Sequence, residues 1–229
     1  MKKYSNITII AEAGVNHNGN LSLAKKLIDI ASKAGADYVK FQTFDPESLV
    51  TNYAEKANYQ KTNQDTYETQ FEMLNKLKLT DKDHYELISY CKKLDIKFLS
   101  TAFDLKSVRF LYKLNLDFFK IPSGEITNLP LLSLIGSFNK KVILSTGMSS
   151  IDEVAAAIKV IVDNGTEREK ITLLQCTSAY PAPFEEVNLK AMDTLRKNFE
   201  LDVGHSDHTL GIEIPIAAAA RGAKIIEKH

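Results

Sequence analysis

The sequence predicts an α/β fold, a (β/α)8 TIM barrel that reaches strand 8 without its last helix. Three observations predict it: eight short β-rich runs, amphipathic helical stretches between them, and polar residues at the C-terminal end of nearly every run. The runs are residues 7–14, 36–43, 97–102, 118–124, 141–147, 171–177, 201–207 and 223–229, and eight parallel strands suffice to close a barrel. Between them, LSLAKKLIDIASKAG (21–35) and SIDEVAAAIKVIVDNG (150–165) place apolar residues at helical spacing and stop on glycine. Strand, helix, strand at such intervals builds a parallel sheet. The competing open doubly wound sheet is disfavoured because GVNHNGN (14–20) lacks the GxGxxG spacing of a dinucleotide-binding first turn.

One domain is expected over 1–229, with a long insertion at about 44–79. About fifty residues separate the second and third strands, far more than one helix needs. The insertion carries Tyr59, Gln60, Glu68, Thr69 and Gln70, and reads either as a lid or substrate-selecting segment or as a solvated helical insertion.

Composition narrows the partners. With 44% apolar residues over 229 positions, the chain can bury one large core without disulfides or structural zinc. Its 29 basic and 29 acidic residues cancel, and no basic run builds the one-signed face of a nucleic-acid binder. Cys91 and Cys176 have no CxxC or Cys/His spacing, which argues for a reducing compartment. No apolar run approaches the roughly 18 residues of a membrane span, and MKKYSNITII runs into a strand without a cleavage signature. A cytoplasmic protein with no nucleic-acid or membrane partner is the expectation.

In a barrel the chemistry sits where the strands end, and there the sequence is polar. The first run ends in Glu12, with Asn16 and His17 beyond; the second in Lys40 and Gln42; the third in Ser100 and Thr101; the fourth in Lys120, Ser123 and Glu125. The fifth ends in Ser145 and Thr146, the sixth in Gln175, Thr177, Ser178 and Tyr180, the seventh in His205 to His208, and the eighth in Glu227 and His229. Strands buried on both faces should be almost wholly apolar, so the coincidence marks a site. Residues two apart share a face, which groups Lys40 with Gln42, Ser206 with His208 and Glu227 with His229. Two lysines, several hydroxyls and the backbone freed by Gly124 and Gly147 suit an oxyanion such as phosphate or carboxylate. Alternatively, Lys40 and Lys120 pair with internal carboxylates such as Glu12 and Glu125.

His208 and His229 fall on neighbouring strands about 5 Å apart, close enough to share one ion with most coordination positions left for water or substrate. Satisfied core histidines are the alternative. His17 fits a turn or a catalytic role, and His84, in a charged helical stretch, reads as ordinary surface.

Taken together, AEAGVNHNG (11–19), VKFQT (39–43), STAF (100–103), KIPSGEITNLP (120–130), ILSTGM (143–148), QCTSAYPAP (175–183), GHSDHT (204–209) and IEKH (226–229) resemble the bacterial sialic acid synthase family over essentially the whole chain. The N-acetylneuraminate and N,N′-diacetyllegionaminate synthases are the nearest branches of that resemblance, with the pseudaminate synthases further off. The resemblance implies a transferase of carbohydrate biosynthesis that condenses phosphoenolpyruvate with N-acetylmannosamine to give N-acetylneuraminate and phosphate. In the alternative branch the acceptor is 2,4-diacetamido-2,4,6-trideoxymannose and the product N,N′-diacetyllegionaminate. It further implies metal ligation by His208 and His229, with Mn2+ expected ahead of Mg2+ or Co2+. Phosphoenolpyruvate contacts carry over to Lys40, Thr101, Lys120, Ser123, Ser145 and Ser206, and sugar or carbonyl contacts to Glu12, Gln42, Glu125, Tyr180 and Glu227. Glu12, Lys40, Lys120 and Glu125 form the catalytic set, with Glu12 the leading group for stabilising positive charge at C2 of phosphoenolpyruvate.

Two residues depart from the family strings. Ala102 stands where STPF is usual, and His205 sits beside the metal motif where Tyr, Phe or Leu is usual, so it is expected to alter metal affinity or the sugar pocket. Family members continue into an eighth helix and a small antifreeze-like (SAF) domain, which in a domain-swapped homodimer supplies an arginine to the partner's sugar site. The chain ends before both, with an expected loss of cover, stability and activity. Readings of other classes are a Schiff-base aldolase using Lys40 or Lys120, and a chain that binds ligand without turnover.

Overall fold

The computed structural model describes residues 7–56 and 68–229, and within them eight parallel strands close a barrel in sequence order. The strands are β1 (Thr8–Gly14), β2 (Tyr38–Thr43), β3 (Lys97–Ala102), β4 (Phe118–Ile121), β5 (Lys141–Ser145), β6 (Ile171–Cys176), β7 (Asp202–Asp207) and β8 (Ile225–Lys228). Helix α1 (Leu21–Lys33) follows β1; α2 (Pro46–Leu49), α3 (Gln70–Leu77) and α4 (Asp81–Lys93) follow β2. Each of the next five strands is followed by one α-helix: α5 (Leu105–Lys113), α6 (Leu129–Gly136), α7 (Ile151–Asp163), α8 (Ala191–Phe199) and α9 (Glu213–Ala220). Tyr59 and Gln60, the sequence's candidates for a substrate-selecting segment, lie outside the described residues. No described helix is long and apolar enough to cross a membrane.

Local chemistry fixes the helix starts. Thr69, Thr80 and Ser150 each form a capping box with the acidic residue three positions on, satisfying two otherwise orphaned backbone donors at once. Asn20, Asp104 and Asn128 cap α1, α5 and α6 with a side-chain oxygen. The sequence runs β4 on to residue 124, but it ends at Ile121, because Pro122 has no N–H to give the ladder. A single 3-10 turn over Ser123–Glu125 follows.

The core has two shells. Outward residues of the strands pack under the helices, with Leu111, Leu132, Ile135, Ile158 and Leu195 closing one side and Ala24, Ile28, Leu87 and Cys91 the other. Inside the barrel Ile10, Tyr38, Leu99, Ile143, Leu174 and Ile225 fill the lower layer. One step of two residues up the same strands replaces this plug with Glu12, Lys40, Thr101, Ser145, Cys176 and Glu227. The register confirms a shared face, pairing Glu12 with Lys40, Thr101 with Lys120, and Ser206 with Glu227. Where β7 crosses the plug, a Cβ on Gly204 would lie 2.3 Å from the carbonyl oxygen of Ile225, so only glycine fits.

Candidate active site

The upper layer opens into a cavity of about 270 Å3 at the C-terminal mouth. It is lined by Glu12, Lys40, Gln42, Thr101, Lys120, Ser123, Ser145, Tyr180, Ser206, His208, Glu227 and His229, all of which the sequence singled out. Phe103, Pro122 and Cys176 complete the wall. Cys176 was open to discovery by period two, since it lies between Leu174 of the plug and Ser178 beyond the strand. Its thiol is 3.2 Å from Ser123 Oγ and accepts from the Gly147 N–H at 3.3 Å. A Cβ on Gly147 would sit 2.4 Å from Ser123 Oγ and 2.7 Å from Ser178 Oγ, so glycine lets the β5 loop close against Ser123.

Four charged groups make the floor. Lys40 Nζ lies 2.6 Å from Glu12 Oε2 and 3.5 Å from Glu227 Oε2, and donates to Thr101 Oγ1 at 3.1 Å. Lys120 Nζ lies 3.3 Å from Glu227 Oε1, which also accepts from Ser206 Oγ at 2.8 Å. The internal pairing considered from the sequence is therefore present, with one correction: the partner of Lys120 is Glu227. Glu125 does not line the cavity. The 3-10 turn after Pro122 takes it off the inward row, and its carboxylate accepts from Asn128 Nδ2 at 2.6 Å.

The two floor carboxyls titrate apart. Burial raises Glu12 to about 7, and the attraction of Lys40 only partly offsets it. Burial also acts on Glu227, but Lys120 and Lys40 together outweigh it and hold that carboxyl well below the usual range. Lys120 is lowered, chiefly by burial, whereas the combined pull of Glu12 and Glu227 outweighs burial at Lys40 and raises it. Near neutrality Glu12 exchanges a proton beside two lysines and an ionised Glu227, so the floor gains positive charge when Glu12 is protonated. Ser145 Oγ is buried without a protein partner, leaving a hydroxyl to meet a ligand oxygen.

At the mouth, the rings of His208 and His229 stand nearly perpendicular with centroids 4.2 Å apart. His208 Nδ1 donates to the carbonyl of Thr177, and His229 Nδ1 to that of Asp207 at 3.1 Å. A carbonyl only accepts, so both protons sit on Nδ1 and both Nε2 lone pairs are free for a ligand, the arrangement that orients metal-binding imidazoles. Burial lowers the pKa of both rings, to about 4 at His229, which keeps a solvent-facing edge. Neutral imidazoles with fixed tautomers fit a divalent ion held by two nitrogens, with other positions left to water and substrate. Among the described residues no cluster of three or more His, Cys, Asp or Glu side chains forms a fuller cage. Tyr180 stacks on His208 at 4.0 Å and stays largely exposed, roofing one side of the mouth.

For the other three histidines the structure selects the turn reading of His17 and corrects His84 and His205. His17 is wholly buried against Phe41, and its Nδ1 accepts from the Gly19 N–H at 3.0 Å, so it is a turn residue outside the cavity. His84 is buried on α4, with Nε2 2.7 Å from Thr43 Oγ1 and Nδ1 2.8 Å from the Thr80 carbonyl. His205 faces away from the cavity, with Nδ1 2.7 Å from Gln175 Oε1, because it is one residue out of phase with Ser206. Ala102 likewise packs in the outer core.

Two buried lysines and two carboxyls on the floor of a parallel barrel, below a pair of histidines, can pair with an oxyanion and a cation at the mouth. The NeuB family model matches residues 27–229, and the chain belongs to the NeuB family. It is 58% identical over 221 residues to the N,N′-diacetyllegionaminic acid synthase of Campylobacter jejuni, covering 96% of this chain and 66% of the relative. It is 51% identical to the synthase of the same name from Legionella pneumophila, covering 96% and 63%. The crystal structure of the N-acetylneuraminic acid (sialic acid) synthetase of Leptospira borgpetersenii, in complex with citrate, superposes with a TM-score of 0.84 at 34% identity, covering 98% of this chain and 73% of that one. The chain thus spans slightly under two thirds of the length of the two curated relatives.

Proposed function

We propose that this barrel condenses phosphoenolpyruvate with 2,4-diacetamido-2,4,6-trideoxymannose, giving N,N′-diacetyllegionaminic acid and phosphate. The observation that carries the chemistry is the floor: two buried lysines and the unpartnered Ser145 hydroxyl beneath a neutral histidine pair. The acceptor rests on the 58% and 51% identities to the two legionaminic acid synthases, against 34% to the sialic acid synthetase. On this support we put the diacetamido sugar, the alternative acceptor of the sequence reading, ahead of N-acetylmannosamine.

In this reading Lys40 and Lys120 bind the phosphate and carboxylate of phosphoenolpyruvate, with hydroxyls from Thr101, Ser123, Ser145 and Ser206 completing the cradle. His208 and His229 would hold a divalent ion, Mn2+ foremost, through their free ring nitrogens, and the chemistry it would supply there is Lewis-acid polarisation of the acceptor aldehyde. C3 of phosphoenolpyruvate bonds to the aldehyde carbon, and the positive charge left at C2 is stabilised by ionised Glu227 and by Glu12 in its ionised form. Water adds at C2, and the tetrahedral intermediate loses phosphate by C–O cleavage, leaving the 2-keto group. Glu12, at about 7, is placed in pKa to take and return a proton across this sequence. Gln42 and Tyr180, which line the cavity, are the side chains that meet the acceptor sugar.

Incubating the protein with phosphoenolpyruvate, Mn2+ and each acceptor in turn, and measuring released phosphate and 2-keto acid, tests the proposal. Turnover with N-acetylmannosamine exceeding that with the diacetamido sugar refutes the acceptor assignment.

One observation favours a second reading. The pKa of Lys120 is lowered, mainly by burial, as a Schiff-base amine requires. Borohydride trapping in the presence of pyruvate separates the two: no adduct is expected on Lys120, since its ammonium is paired with Glu227, and a covalent adduct establishes the aldolase.

A further inference from the structure

Asp207 lies between Ser206 and His208 but faces away from the cavity, and nothing in the chemistry above uses it. It is 1% exposed. Its backbone carbonyl accepts both the N–H and the Nδ1–H of His229, at 3.2 and 3.1 Å. Oδ1 accepts from the N–H and the hydroxyl of Thr209, at 3.1 and 2.9 Å. Oδ2 is 3.0 Å from Lys228 Nζ, which also donates to the Thr209 carbonyl at 2.6 Å. One carboxylate therefore ties down the residue after His208 and the residue before His229.

We infer that Asp207, with Lys228, is a positioning residue that clamps the ends of β7 and β8 so that the two histidine Nε2 atoms converge on one ion. The inference rests on the metal reading above and adds the part that holds its geometry. β7 and β8 pair at Asp207 and Lys228; beyond this rung the Thr177 and Asp207 carbonyls orient the two rings, and the carboxylate holds the backbone on either side of them. Two imidazoles define a site only if their separation is held. Groups bonded directly to metal ligands are worth about 10- to 100-fold in affinity, and a carboxylate that acts one residue away, through Thr209 and Lys228, falls at or below the lower end. Sequence alone conceals the role, because Asp207 in SDH reads as another mouth residue until the strand phase is known.

The test is Mn2+ binding, followed by calorimetry and by the electron paramagnetic resonance of the free ion, with Co2+ absorption as a readout of ligand geometry. Asp207→Ala keeps the carbonyl that holds His229 and is expected to weaken Mn2+ by up to about 10-fold and to change the Co2+ spectrum, while phosphoenolpyruvate affinity without metal stays within twofold. Lys228→Met removes the ion pair and the bond to the Thr209 carbonyl but leaves both bonds from Thr209 to the carboxylate, so an intermediate loss is expected from a variant that keeps the buried carboxylate hydrogen-bonded. Asp207→Asn retains an oxygen for Thr209 and is expected to recover part of the affinity. Wild-type Mn2+ affinity and an unchanged Co2+ spectrum in Asp207→Ala and Lys228→Met overturn the clamp while leaving the metal assignment standing. Absence of saturable Mn2+ binding in the unmodified protein overturns the metal assignment, and the clamp with it.

Discussion

Glu12 and Lys40 meet at 2.6 Å on the barrel floor, on neighbouring strands in direct register and almost fully shielded from solvent. Even so, the carboxyl is raised to about 7, since Lys40 is shared with Glu227 and burial outweighs its attraction. The pair is a charge reservoir whose state changes near neutral pH, and this sets the first prediction.

Glu12→Gln keeps the shape of the site and removes its titration. The expected outcome is a fall in kcat of about 10²- to 10⁴-fold, the usual range for a positioned proton-transfer group. With it goes the inflection near pH 7 in kcat/KM. An unchanged pH profile from pH 6 to 8 would assign that inflection elsewhere and leave Glu12 an electrostatic role only.

Lys40→Met leaves two buried carboxyls facing each other with Lys120 alone. Breaking a buried pair costs about 3–5 kcal/mol when the remaining charge has no escape, but here Glu12 escapes by protonation. The destabilisation should therefore be smaller at pH 6 than at pH 8, as read from urea midpoints. A penalty that grows as pH falls contradicts the assignment of the raised pKa to Glu12.

Gly147→Ala probes the packing of β5 against Ser123. The added methyl would sit 2.4 Å from Ser123 Oγ and 2.7 Å from Ser178 Oγ, so both hydroxyls must move. Misplacing a positioning group by about 1 Å costs on the order of 10²-fold, and the loss should fall on the KM for phosphoenolpyruvate with little change in thermal midpoint. Unaltered kinetics show that Ser123 does not contact phosphoenolpyruvate.

The inner row of the barrel was legible because period two carried Ile10 to Glu12 and Ile225 to Glu227, and a polar step on one strand after another has few structural explanations. Phase was not legible. Strands buried on both faces alternate between two interiors, so Ser206 and Asp207, or Thr101 and Ser100, look alike until the helices are placed. Ser100 in fact joins Thr43 at 2.6 Å behind the strands. His84 was misread because charged neighbours dominate DKDHYELISYCKK, although its spacing to Leu87 and Cys91 already placed it on the buried face of α4. Glu125 was read as a strand-end residue and then given a role by the motif, and neither reading shows that the backbone turns after Pro122.

All five histidines of the chain have lowered pKa values, burial being the largest cause in each. Between the ordinary histidine value of 6.5 and the ordinary glutamate value of 4.5 the unfolded chain takes up protons at these sites that the folded chain refuses. Glu12 works the other way, binding one proton in the folded state that the unfolded chain does not bind until about 4.5. The five lowered histidines act together against Glu12, and the expected net sign is more protons on the unfolded state, with stability falling as pH falls through this window. Urea midpoints measured without metal should decrease steadily from pH 7 to 5, and a flat or rising trend rules out burial of the histidines in neutral form.

The same shifts move the acid limit of metal binding. From ordinary histidines one expects Mn2+ affinity to weaken through about pH 6.5. With His208 lowered and His229 at about 4, protons compete only at lower pH. The loss of affinity should therefore set in at lower pH than the ordinary histidine value of 6.5, as followed by calorimetric titration at stepped pH. His208→Ala and His229→Ala should each abolish saturable binding across the whole range, since one imidazole leaves the ion held mainly by water. A steep loss already complete between pH 7 and 6 means that the rings ionise as in solution. In that case their Nε2 atoms lack the buried, neutral setting on which the metal reading depends.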